Sequence, residues 1–134
     1  MKSVSSALCM GAIGFALVAC SPFTSPKPRL KSGGWGGDHV GLFVESTGVS
    51  FLFDCAGGSV LGQIPIARDG SFDVTGTYAG GGNAFNADHS SHPTRYFGRV
   101  VGDHVTFTRV LLDGTLPDVR FSADFGAAPG IIAC

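Results

Sequence analysis

Side chains able to do chemistry are few in this 134-residue chain: four histidines, ten Asp and Glu, nine Lys and Arg, four cysteines and scattered serines. His39 follows Asp38, a pairing suited to acid–base work, and Asp88-His89 with His92 makes an H-x-x-H spacing that a metal could use. Zinc needs rigid tetrahedral ligation supported by outer hydrogen bonds. Two imidazoles and one carboxylate in a glycine-rich loop supply neither, so both groupings read as solvated polar residues, and no metal or other cofactor is expected. Serine chemistry has no G-x-S-x-G elbow to start from. Gly80-Gly81-Gly82 departs from phosphate-loop spacing and leads to no helix whose N-terminus could hold an anion. The chain is expected not to be an enzyme, and a small hydrolase ranks last among its possible functions.

Arg109 is the residue most at odds with its surroundings. Val105, Phe107 and Leu111 share its parity in an alternating segment, which directs the guanidinium inward. Burying such a cation alone costs several kcal/mol, on the order set by desolvation of an unpaired charge. A bulge that turns the side chain outward is the first expectation; an acidic partner or an anionic ligand are the alternatives. Trp35 is either an aromatic floor for a ligand or, preferably, a plug that closes one end of the domain. Trp35, His39, Tyr96 and Arg109 are the candidates for a ligand site.

Composition removes other classes. Charged residues are 14% of the chain and the formal net charge is −1, so no basic surplus is available to neutralise phosphates, and no nucleic-acid partner is expected. An apolar fraction of 44% with 11 phenylalanines excludes the sparse-hydrophobe class of disordered chains, and no 18-residue apolar run could span a membrane as a helix. The length suits one folding unit.

Met1-Lys2 and an apolar stretch from about Ala7 lead to Leu17-Val18-Ala19-Cys20. Residues 1–19 read as an export signal. The tetrad resembles the lipobox of bacterial lipoproteins, which implies lipid on Cys20 and a membrane partner through that lipid; an ordinary secretory peptide with an incidental Cys20 is the alternative. Ser21 rather than Asp after the cysteine implies, by analogy with Gram-negative sorting, the outer membrane, facing periplasm or cell surface. Acyl chains would contribute about 0.8 kcal/mol per buried CH₂. Residues 20–34, with Pro22, Pro26 and Pro28, read as a lipidated cysteine and flexible tether. With Cys9 discarded and Cys20 lipidated, Cys55 and Cys134 remain. In an oxidising compartment they are expected to pair, closing a long loop worth about 4 kcal/mol in the chain-entropy model; two free thiols or an intermolecular bridge are the alternatives.

Residues 35–134 alternate apolar and polar in short stretches ended by Gly, Asp or Asn, and no helical stripe competes. Expected strands begin with Val40–Val44 and Val49–Cys55, with Trp35 at the entrance to the first and a bulge at Gly36-Gly37. Val60–Ile66, Phe72–Tyr78, Arg95–Val101, His104–Leu112, Val119–Phe125 and Ile131–Cys134 follow, with Gly57-Gly58 as a connection and 79–94 as a long loop. Curling these eight strands into a small antiparallel up-and-down barrel, lipocalin-like, buries the apolar face and removes the edges. An interior of that size holds side chains, or side chains and one small ligand.

Gly34-Trp35-Gly36-Gly37-Asp38-His39-Val40, Phe53-Asp54-Cys55-Ala56-Gly57-Gly58, Gly70–Tyr78 and Arg95–Val100 together resemble an uncharacterised family of small secreted or lipid-anchored bacterial proteins. There a W-G-G-x-H start leads through D-C-A-x-G to a terminal cysteine; the resemblance implies no activity. The start is also similar, at the level of fold alone, to the G-x-W strand of lipocalins and avidins. The chain departs from the family in its loop at 79–94, usually proline-rich there, and in Arg109. The functions expected are a non-catalytic module, monomeric, binding a small apolar ligand or a surface, or else an inhibitor presenting the 79–94 loop to an envelope protein.

Overall fold

A computed structural model describes residues 27–80 and 90–134; among these there are strands and turns and no helix. Cys20, the signal segment and Asp88-His89 lie outside the described residues. The strands are β1 (Gly33–Gly37), β2 (Val40–Glu45), β3 (Gly48–Phe53), β4 (Ala56–Leu61), β5 (Ser71–Gly80), β6 (Ser91–Val101), β7 (His104–Leu111) and β8 (Val119–Phe125). Each pairs antiparallel with the next, and β8 pairs with β1 through Trp35↔Phe125 and Gly36↔Asp124. The result is the closed eight-stranded antiparallel barrel that the period-two pattern predicts, with no unpaired apolar face.

Alternation decides which side chains enter. On β7, Val105, Phe107, Arg109 and Leu111 are all buried while the residues between them are not. The interior is filled. Phe51 stacks on Tyr96 with centroids 4.2 Å apart and meets Phe107 edge-on at 5.4 Å, and Phe107 continues to Phe121 at 5.5 Å. Such contacts contribute about 0.5–1.5 kcal/mol each beyond the area they bury.

Several boundaries differ from expectation; Val60–Ile66 is strand only as far as Leu61, the end of β4. The first strand is two strands, because the chain reverses at Asp38-His39; Trp35 and Val40 both point inward without a bulge at Gly36-Gly37, since they sit on different strands. Gly57 and Gly58 lie within β4, the reversal falling three residues earlier at Asp54-Cys55. Ile131–Cys134 form no strand. After Gly126 the chain runs over the outside of β1 and β2, where a Cβ on Gly36 would come within 2.6 Å of the Ala128 carbonyl oxygen and one on Gly41 within 2.8 Å of Pro129. Gly130 bridges Asp38 in parallel, donating to the Gly37 carbonyl and accepting from His39 N–H, both at 2.9 Å. This strap ends at Cys134, which meets Cys55 at disulfide distance, Cα atoms 5.2 Å apart.

The stretch expected to be tether is, from Pro28, part of the body. Leu30 N–H donates to the Ile64 carbonyl and Ile66 N–H to that of Pro28, and the side chains of Leu30 and Ile64 are buried together. Prolines did not keep the segment free, because it lies beside the 62–66 backbone, whose groups need partners.

Candidate functional site

Up-and-down winding gives the barrel two unlike ends. At one, the floor, Leu30, Ile64 and Trp35 fill the opening; Trp35 is buried, donates from Nε1 to the Lys31 carbonyl at 3.0 Å and meets Phe125 edge-on at 5.2 Å. Trp35 is thus packed within the closed end of the barrel and does not line the open pocket at the other end. At the other end, the mouth, sit the Asp38-His39 and Asp54-Cys55 turns, the connection 112–118, and the paired ends of β5 and β6 at Ala79 and Ser91. An open pocket of about 700 Å³ lies there, within the range of small-molecule sites.

Phe53, Tyr78 and Phe121, the upper end of the aromatic column, line the pocket together with Val119. Among them lies Arg109. No bulge turns it away: β7 keeps unbroken register, with Tyr96↔Arg109 on one side and Arg109↔Val119 on the other. Its residue is 6% exposed; the guanidinium lies 4.5 Å from the Tyr78 ring centroid and donates from Nη2 to the Pro117 carbonyl at 3.1 Å. Its Nε is buried without an acceptor, and no carboxylate pairs with the side chain among the described residues. The rings offset part of the desolvation. The outward turn weighed from the sequence is not what the structure shows, and no acidic partner is found among the described residues.

His39 and Asp54 form the rim. Two-residue turns bring them together: His39 and Cys55, each second in its turn, take positive φ of 64° and 57°, a conformation few non-glycine residues adopt. His39 Nδ1 lies 2.5 Å from Asp54 Oδ2, while Asp54 Oδ1 accepts the strap's Ile132 N–H at 2.8 Å. Asp54 thus ties two turns and the strap. The Ile132 amide foremost, then His39, holds its carboxyl below the usual range. Sequence reasoning missed Asp54 as a partner, although an Asp opening each of the two-residue turns was available as a signal. Tyr96, the fourth candidate, is core: its hydroxyl fills the space a side chain on Gly58 would need and donates to the Thr77 carbonyl at 2.7 Å. Burial raises its phenol well above the ordinary value, against the pull of Arg109.

His92 pairs with Asp113 at 2.6 Å and His104 with Asp124 at 2.7 Å. Among the described residues no three His, Cys, Asp or Glu side chains group to hold a metal. The hydrogen bond from His92, then those from Thr115, lower the Asp113 carboxyl to about 2. A carboxyl depressed in the folded state stabilises the fold above its unfolded pKa and loses that contribution as pH falls through the folded value. Thermal unfolding of the protein is expected to shift down between about pH 4 and pH 2, and Asp113→Asn to show a shallower fall over that window. An unchanged slope in the variant would count against the pairing.

The predicted 79–94 loop is shorter than its sequence suggests. β5 and β6 stay paired out to Ala79↔Ser91, and residues 81–89 lie outside the described residues. Comparison with protein-family models, with curated proteins and with solved structures found no match.

Proposed function

We propose that the protein is a lipid-anchored bacterial envelope protein that binds a small molecule at the open end of its barrel and catalyses no reaction. One observation carries the binding reading: the aromatic column fills the barrel axis and stops short of the mouth, leaving a pocket of about 700 Å³ with an apolar floor and polar rim. Ligand sites combine those features. The anchor reading rests on the Leu17–Cys20 tetrad behind a charged and apolar start.

The two readings agree in geometry. Pro28 and Leu30 dock at the floor, so a lipidated Cys20, seven residues before Lys27, would lie within roughly 25 Å of that end at full extension. The anchor would then join the barrel at the end opposite the mouth. Amide chemical-shift mapping with benzyl alcohol as the probe tests the pocket: shifts are expected at Phe53, Tyr78 and Val119–Phe121 and not around Leu30 and Trp35. Shifts confined to the floor would reject it. For the anchor, Cys20→Ser is expected to move the protein from the membrane to the soluble fraction and to abolish labelling by a palmitate analogue.

A further inference from the structure

We infer that the occupant of the mouth is an organic carboxylate on a flat apolar body, its charge met by Arg109; this rests on the mouth being the binding site. Position 109 lies between Phe107 and Leu111 in an inward row, where an apolar side chain would satisfy the fold. Buried ion pairs can often be replaced by apolar residues without loss, and a buried cation lacking a carboxylate is less favourable still. Among the described residues Arg109 has only the Pro117 carbonyl and two aromatic rings to compensate it, and its Nε has no acceptor there. The fold gains nothing evident from this charge.

The sign of the ligand follows from what is already satisfied. Carboxylates also line the pocket, but Asp38 is exposed to solvent on its turn, Asp54 is engaged by the Ile132 amide and His39, and Asp124 by His104. Arg120 adds a second cation to the lining. The buried charge left without a carboxylate among the described residues is therefore positive, the guanidinium of Arg109. A planar guanidinium matches a carboxylate in shape as well as charge. The volume far exceeds that of an inorganic anion, and Phe53, Tyr78, Phe121 and Val119 offer apolar contact to whatever carries the acid.

Calorimetric titration with 3-phenylpropionate and its neutral amide, 3-phenylpropionamide, separates this proposal from the reading beneath it. The acid is expected to bind at least tenfold more tightly than the amide. Arg109→Met should remove that preference while leaving amide binding in place, and Arg109→Lys should retain part of it; Arg109→Gln serves if the methionine variant fails to fold. Equal affinity of acid and amide for the wild type overturns the carboxylate proposal and leaves the mouth as a neutral-ligand site. Binding of neither probe overturns both. A preference for the acid that survives Arg109→Met places the anion elsewhere and overturns the assignment to this residue.

Discussion

Cys134→Ser is expected to lower the free energy of unfolding by about 4 kcal/mol, an effect on the order given by chain entropy for a loop of this length. The bond joins residues 79 apart, so in its absence the unfolded chain gains the freedom of most of the domain. A second consequence lies in the folded state. The strap contributes the Ile132 N–H to Asp54 and the Gly130 bridge to Asp38, and both are expected to fray once the tail is released. Guanidinium unfolding of wild type and variant, with and without reductant, checks this. Reductant should bring the wild type down to the variant and leave the variant unchanged; a loss below about 1 kcal/mol would mean that the unfolded chain is compact enough to need no tether.

Gly98→Val is expected to destabilise by about 3 kcal/mol or more, at the upper end of overpacking effects. Gly98 pairs with both Phe72 and Phe107 in the middle of β6. A Cβ there would collide with the Thr106 carbonyl oxygen and stand 2.6 Å from the Phe107 Cα. Backbone cannot rotate away as a side chain can, so β6 and β7 would have to part. Gly102→Ala is the control, because nothing lies within 4 Å of its Cβ position although its φ of 61° is strained for alanine. A melting midpoint for Gly98→Val no lower than that of Gly102→Ala would show that the strands can shift to accept a side chain.

Most of the sheet was legible because one-sided burial writes a period of two into the sequence, as in Val105, Phe107 and Leu111. The turns at Asp38-His39 and Asp54-Cys55 were not. Hairpin reversals announce themselves through glycine or asparagine at positive φ, and here His39 and Cys55 hold those positions. Missing the first turn merged β1 with β2 and called for a bulge that does not exist. The last apolar residues read as a strand because composition cannot distinguish a sheet partner from a strap packed on its outside; Gly36 and Gly41 carry the reason, visible only once they face the same surface. Parity correctly directed Arg109 inward, and the cost of burying it argued wrongly for a bulge. His39 and Asp54, 15 residues apart, meet because two successive hairpins end on one rim, a juxtaposition set by topology and not by spacing.

The most direct test of the mouth as a ligand site above a filled barrel is a crystal structure of the protein with 3-phenylpropionate. The carboxylate is expected within hydrogen-bonding distance of the Arg109 guanidinium, with the phenyl ring against Phe53 and Phe121 and the Phe51–Tyr96 stack undisturbed. A probe lodged on the barrel axis between Phe51 and Phe107, or in the outer groove beside Ile66 and Phe97, would contradict the account.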